Sequence, residues 1–150
     1  MITKARLADA KEIQKLINAY AKKDLMLPKS IVDIYERLRD FYVYRHNDKI
    51  VGVCALSISW GDLAEIRSLA VEKRHSGKGI GKELVDACLA EAKDLGVKKV
   101  FTLTYIPNFF RKFGLKTVKR DSLPHKVWTE CVNCPKFPDC GEVPLAKNIK

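Results

Sequence analysis

The sequence predicts an α/β fold of the mixed, α+β kind, and three observations predict it. The stretch from Leu63 to Ile106 reads as strand, glycine loop, long amphipathic helix and strand. Two aromatic and β-branched runs, "FYVYR" and "IVGVCALSISW", flank the polar cluster "HNDK" as a β-hairpin. Ahead of them a short alternating run is followed by two segments of helical period. At 150 residues, one domain over 1–150 is expected, with a Cys- and Pro-rich C-terminal segment. A chain of this size buries roughly 70% of its unfolded surface without disulfides.

The elements follow in order. "ITKARL" alternates as a first strand, and Asp9 is placed to cap a helix with Glu12 completing a capping box. Ile13, Leu16, Ile17 and Tyr20 then recur at helical spacing. "LPKS" breaks the chain, and Ser30 caps a second helix with Ile31, Ile34, Tyr35 and Leu38 on one face. In the hairpin, Gly52 marks a bulge. "LAEIRSLAV" runs as a strand into the glycine loop, and "GIGKELVDACLAEAKDLG" places Ile80, Leu84, Ala87, Cys88 and Leu95 on a helix stopped by Gly96. "KKVFTLTYI" closes the unit, so its two strands should be parallel with a right-handed crossover. Pro107 starts the short helix "PNFFRKF", which Gly114 ends. In the tail, "LPHKVWTEC" can hold a helical turn, "CPKFPDCG" a loop, and "EVPLAKNI" a last edge strand. Such an edge could pair across a two-fold axis in a homodimer.

With 28 Lys plus Arg against 18 Asp plus Glu, the formal charge of +10 concentrates anions around the chain without choosing among them. "MITKARLADA" lacks the apolar core of a signal peptide, and no stretch approaches the roughly 20 apolar residues that cross a bilayer. A cytoplasmic location away from membranes is the expectation. Five cysteines, an odd count, argue against a secreted disulfide framework and for reduced thiols. Cys131, Cys134 and Cys140 are spaced C-x2-C-x5-C, with His125 six residues ahead of the first. Zinc ligation, thiols packed in a loop, and a disulfide or redox pair all stay open there. A single knuckle where zinc sites usually show two weighs against a metal, and none is expected. Trp60, Trp128 and "FYVY" read as core or cleft-lining residues rather than base-stacking ones. No basic helix carries interleaved aromatics, so nucleic acid is not the expected partner. A basic nucleic-acid-binding module remains the alternative from another class; its binding would weaken steeply with salt.

"RHSGKGIGKEL", residues 74 to 84, stands at the start of the long helix. Backbone N–H groups there are unpaired and carry the positive end of the helix dipole, so they hold phosphate where side chains do not block it. Gly77, Gly79 and Gly81 remove those side chains, and Arg74, Lys78 and Lys82 add charge. A tight strand-to-helix turn is the alternative use of such glycines. A Walker loop needs four residues between its glycines and Ser or Thr after its lysine. Here Gly77 and Gly81 enclose three residues, and Glu83 follows Lys82. The dinucleotide fingerprint G-x-G-x-x-G is not spelled either.

Arg74-x-x-Gly77-x-Gly79, directly after "SLAV" and leading into an amphipathic helix, closely resembles the acetyl-CoA pyrophosphate loop of the GNAT N-acetyltransferases. The resemblance extends to the first strand and two helices, the hairpin with "IVGVCAL", and "FFRKFGL". It implies a mixed, twisted sheet of about six to seven strands with about four helices and splayed central strands. It also implies acetyl-CoA as co-substrate. The backbone of Leu69 and Val71 would then bind the pantetheine arm, and Arg74, Gly77, Lys78, Gly79, Ile80, Gly81 and Lys82 the pyrophosphate. The acceptor amine must lose its proton before it can attack a thioester. Glu65, four residues before Leu69 on the same strand, is the candidate base; pairing with Arg67 is its alternative role. Many members place a tyrosine in the short helix to protonate the departing thiolate, but Phe110 stands there in this chain. No acid is assigned.

Within that family the chain looks most like the short amino-acid N-acetyltransferases of the N-acetylglutamate synthase type. "LMLPKSIVDIYERLRDF", "LAEIRSLAV" and "LPHKVWTECVNCPKF" carry this likeness. It implies the α-amine of an amino acid such as L-glutamate as acceptor, the reaction that opens arginine biosynthesis. Arg67 offers a bidentate fork for a carboxylate. Lys29 and Lys126 are further candidates, and each also reads as an ordinary surface lysine. Strand alternation places Glu65, Arg67 and Leu69 on one face. Another amine, such as a polyamine, a drug or a protein N-terminus, is the alternative acceptor; a polyamine would call for a pocket lined with Asp and Glu.

Overall fold

Short helices alternate with strands that gather into one sheet. The computed structural model describes residues 1–23, 25–26, 28–123 and 142–149. β1 (Ile2–Lys4) leads into α1 (Ala10–Ala21) and α2 (Ile31–Glu36). The hairpin β2 (Phe41–His46) and β3 (Lys49–Trp60) is followed by β4 (Leu63–Val71) and α3 (Ile80–Leu95). Then come β5 (Lys99–Thr104), α4 (Pro107–Arg111), β6 (Lys116–Thr117) and β7 (Val143–Asn148). The seven strands lie in the order β1-β2-β3-β4-β5-β7-β6. β4 and β5 are parallel and every other neighbouring pair is antiparallel. This is the mixed sheet the sequence leads one to expect.

Each face of the sheet carries its own core. Leu84, Val85, Cys88 and Ala92 of α3 pack on Cys54, Leu56, Ala64 and Ile66. On the other face, Ile13 and Ile17 of α1 and Ile34 of α2 pack on Phe41, Val43, Val53, Ala55 and Ala70. Burying a large aliphatic side chain stabilises by about 1.5–3 kcal/mol, so the spacing of Ile13 and Ile17 fixes which side of α1 turns inward. α3 approaches the sheet closely at Gly52, where an added Cβ would stand 2.9 Å from Ile80 Cγ2 and 3.0 Å from Leu84 Cδ1. Cys54 and Cys88 are free thiols within this core. The Cys88 thiol beside it and full burial push the Cys54 thiol up, which keeps it protonated.

The hairpin turns through Asn47 and Asp48, both at positive φ (52° and 63°), the two-residue geometry that matches strand twist. Next to Gly52 the β2–β3 register shifts between Tyr44 and Arg45, which leaves Val51 as an extra residue, so the expected bulge is present. Ser30 caps α2, its hydroxyl accepting from Asp33 N–H at 3.1 Å. Gly96 ends α3 in the left-handed conformation with φ 83°, and Gly114 follows α4 at φ 89°.

Several sequence expectations are corrected. Asp9 does not cap α1 through its side chain, and Glu12 does not complete a capping box. The Asp9 carboxylate instead accepts from Arg6 N–H at 2.8 Å and from Arg45 at 2.6 Å, while Glu12 accepts from Ile50 N–H. A 3-10 turn over Leu7–Asp9 precedes α1, so Asp9 sits one turn inside the start and ties α1 to β2. Tyr35 and Leu95 are exposed rather than core, as is Trp60 at the β3–β4 turn, 65% accessible. "EVPLAKNI" does not form an edge: β7 lies between β5 and β6. The homodimer expectation therefore loses the strand on which it rested. Lys126, His125, Trp128, Cys131, Cys134 and Cys140 lie outside the described residues.

Candidate active site

β4 and β5 pair only over Leu63–Lys99, Ala64–Val100 and Glu65–Phe101, then part. Beyond that point the Ile66 carbonyl accepts from the Thr102 hydroxyl at 2.8 Å. Where the strands diverge, β4 also changes phase against β3. Val53 faces Ala70 and Ala55 faces Arg67, so Ser68 and Leu69 together stand opposite Cys54. This is a β-bulge, and Ser68 carries it at φ 58°.

The bulge corrects the expectation that Glu65, Arg67 and Leu69 share a face. Ala64 and Ile66 belong to the α3-side core, and after the extra residue Leu69 and Val71 do as well, while Ala70 turns to the α1 side. Glu65 and Arg67 therefore stand on the opposite face from Leu69. Two cavities result, and they adjoin at one peptide bond: Arg67 and Ser68 line one, Leu69 and Val71 the other.

The larger is a groove of about 700 Å³ that runs from Leu69 and Val71 along Ser76, Gly77, Gly79, Ile80, Gly81 and Lys82 to Phe109 and Phe113. Gly77 and Gly79 have φ 79° and 81°, and a Cβ on either would meet nothing within 4 Å. The space over the α3 N-terminus is thus open to a phosphate, and the residues fit the pyrophosphate end of acetyl-CoA. Lys82 Nζ lies 2.8 Å from Asp86 Oδ2, a contact that raises its pKa. Arg74 turns onto Glu72 at 3.2 Å, and the side chains of Arg74 and Lys78 do not line the groove. His75, which the sequence reading missed, does line it; desolvation and the neighbouring Lys78 lower its pKa.

Tyr20 is a second residue missed by sequence reasoning, where it appeared only as a core position. Its hydroxyl lies in the groove, donates to Val71 C=O at 2.5 Å and accepts from Val71 N–H at 3.4 Å. Both main-chain groups of Val71 that face the opened strand gap are therefore engaged by α1.

The smaller cavity, about 10 Å³, is lined by Lys29, Asp33, Arg37, Asp40, Arg67 and Ser68, with Ile34, Phe41 and Ala55 behind them. At this size it admits about one water molecule. The Lys29 backbone is clamped by α1: its N–H donates to Asn18 Oδ1 at 3.1 Å and its carbonyl accepts from Gln14 Nε2 at 3.1 Å. Asp33 bridges Lys29 at 3.8 Å and Arg37 at 3.7 Å. Contacts this long between partly exposed groups contribute at most about 1 kcal/mol each. Arg67 lies 3.7 Å from Glu65, whose side chain is only 14% exposed, and Glu65 lines neither cavity. Burial pushes the Asp40 carboxyl up against the opposing pull of Arg37, Lys4 and Arg67. Arg37 and Asp40 carry no motif that singles them out; only the packing of the α2 end on β3 brings them to Arg67. Among the described residues no group of three or more His, Cys, Asp or Glu is placed to hold a metal, and no helix is long and apolar enough to cross a membrane.

A sheet opened beside a bulged strand, with a glycine-lined helix start at the open end, defines an acyltransferase built to hold a long phosphorylated thioester. Residues 9–115 match the model of the acetyltransferase (GNAT) family, and the chain belongs to that family. It is an N-acetyltransferase, and acetyl-CoA is its donor. An uncharacterized N-acetyltransferase of Chlorobaculum tepidum is 39% identical over 99% of this chain and 96% of that protein. An amino-acid acetyltransferase of Mycobacterium tuberculosis is 37% identical over 87% of this chain and 76% of the relative. Among solved structures, Rv2747 from Mycobacterium tuberculosis, crystallised with CoA, superposes with a TM-score of 0.86 at 31% identity, covering 100% of this chain and 99% of that one. The fold is shared with N-acetylglutamate synthase from Neisseria gonorrhoeae, with a TM-score of 0.88 at 21% identity over 100% of this chain and 35% of that one.

Proposed function

We propose that the chain acetylates the α-amine of an amino acid, an acidic one such as L-glutamate. The observation that carries this reading is the placement of two cations, Lys29 and Arg67, at the small cavity that adjoins the cofactor groove at Ser68 and Leu69; that cavity, water-sized in the free protein, has to widen to take the acceptor. An amine seated beside Arg67 is two residues along β4 from Leu69, where the groove that would hold the thioester begins. Two relatives with the name amino-acid acetyltransferase or the synthase fold support the same class.

In this reading Gly77, Gly79, Ile80, Gly81 and Lys82 hold the pyrophosphate, with Arg74 and Lys78 adding field from the exposed side of the loop. The acetyl thioester supplies the electrophilic carbonyl. Leu69 and Val71 offer main-chain groups to the pantetheine arm, and the Tyr20 hydroxyl must withdraw from Val71 for both of those groups to be used. Glu65 takes the proton of the acceptor ammonium through a bridging water, since it stands behind Arg67 rather than in the cavity. The freed nitrogen attacks the carbonyl carbon, and the carbon–sulfur bond breaks with its electron pair leaving on sulfur. Phe110, buried in the α3-side core, has no proton to give the thiolate. Lys126 is the remaining candidate for an acceptor carboxylate. The test is thiol release from acetyl-CoA across the twenty amino acids: turnover confined to dicarboxylic and closely related acceptors is expected, and turnover with polyamines alone would overturn the reading.

A further inference from the structure

We propose that His75 takes up a proton when the phosphates of the donor enter the groove, so that donor binding tightens as pH falls through neutrality. The inference rests on the reading that the glycine loop holds the pyrophosphate, and it adds a proton to that binding step. His75 ends a 3-10 turn over Lys73–His75. Its N–H donates to the Glu72 carbonyl at 2.8 Å, and the Ser76 hydroxyl donates to the Lys73 carbonyl at 2.8 Å. This turn delivers the imidazole to the wall of the groove that Gly77 and Gly79 also line. The ring packs on the His46 ring of β2, with centroids 5.1 Å apart and planes tilted by 56°. With its side chain 18% exposed, the imidazole is held at the wall rather than sweeping through solvent.

The charges around it decide its state. Arg74 turns onto Glu72 at 3.2 Å, and Lys49 of β3 reaches the same carboxylate at 3.3 Å. Across the groove, Lys82 and Asp86 of α3 are paired. His75 Nε2 stands 4.0 Å from Glu72, beyond hydrogen-bond length, so that carboxylate does little to hold a proton on the ring. Desolvation, Lys78, His46 and Arg74 all lower the pKa from 6.5 against the pull of Glu72, which leaves the imidazole mainly neutral at pH 7. A pyrophosphate over Gly77 and Gly79 brings negative charge to the same wall, and an opposite charge nearby favours the imidazolium. The pKa is therefore higher with the donor bound than without it. The gain in affinity is complete below the lower of these two values and is lost as pH rises through the higher one.

The experiment is calorimetric titration of CoA into the parent chain, His75→Gln and His46→Gln from about pH 5 to about pH 8. Buffers of contrasting ionisation enthalpy give the protons taken up as well as Kd. The 3′-phosphate of CoA itself titrates near about pH 6, but it does so in every chain, and the difference between chains reports the imidazole. At the alkaline end the parent and His75→Gln should bind alike. At the acid end the parent should bind about three- to tenfold more tightly than His75→Gln and take up more protons. His46→Gln should keep that extra uptake. A uniform weakening of His75→Gln at every pH would show a merely structural role and overturn the proposal. So would the same pH dependence in parent and His75→Gln, or an extra uptake that His46→Gln removes and His75→Gln keeps. Gly79→Glu separates the two readings: if it leaves CoA binding intact, the loop assignment falls and this inference with it. If it abolishes binding while the parent and His75→Gln stay alike at every pH, this inference alone fails.

Discussion

Glu65 and Arg67 stand side by side on one face of β4, and their proximity gives each a second possible use: an ion pair in the resting protein, or a base and a carboxylate clamp during turnover. The pH dependence of the rate separates these. Glu65→Gln is expected to lower kcat by about 10²–10⁴ and to abolish the low-pH limb of the pH–rate profile; a variant that keeps that limb removes Glu65 as base. Asp40 gives a stability prediction of opposite character. Because burial raises its carboxyl above the ordinary 3.8, the fold binds this proton more tightly than the unfolded chain does. Its contribution is then greatest below that value and is lost as pH rises through the folded-state pKa. The stability gap between Asp40→Asn and the parent should therefore widen in favour of the variant from pH 3 to pH 6 in denaturant titrations. Arg67 was legible in the sequence as a residue of the strand that runs into the glycine loop. Arg37 and Asp40 were not, because their proximity to it depends on a contact across 27 or more positions that no local pattern encodes.

At the scale of elements, α1 and α3 approach the splayed strand from opposite faces and treat it differently. α1 engages Val71 through the Tyr20 hydroxyl. If the donor's amide uses the same groups, Tyr20→Phe removes a competitor. Acetyl-CoA should then bind about fivefold more tightly by calorimetry, at a cost of about 1 kcal/mol in the stability of the free protein. α3 presents its bare N-terminus. Gly79→Glu adds about 1–2 kcal/mol of left-handed strain and projects a carboxylate into the space over the helix start. Acetyl-CoA binding should fall by more than 100-fold, and unchanged binding would sink the loop assignment. The glycine loop, α3 and the β4–β5 crossover could be read from the chain because glycine spacing, capping and period are local. The position of β7 could not, since a short apolar run with a proline near its start looks alike at an edge and one strand in. Its pairing with β5 from Lys99–Asn148 to Thr104–Val143 is set by tertiary burial of Leu145 and Ala146.

Across the whole molecule, the fold was more legible than the site. The two cores follow from periodicity within each element, but the cavities arise where that periodicity fails. Uniform alternation along "EIRSLAV" puts Glu65, Arg67 and Leu69 together, and one extra residue separates them. Ser68 acts in side-chain space as a frameshift acts in a reading frame: everything downstream is intact yet addressed to the other side. Deleting Ser68 should remove the bulge yet leave Leu69 opposite Cys54 on the α3 side and Ala70 opposite Val53 on the α1 side. Far-UV circular dichroism of such a chain should still report a helix-and-sheet protein. The bulge, a single peptide unit, is what lets a strand of this sequence line two cavities on opposite faces.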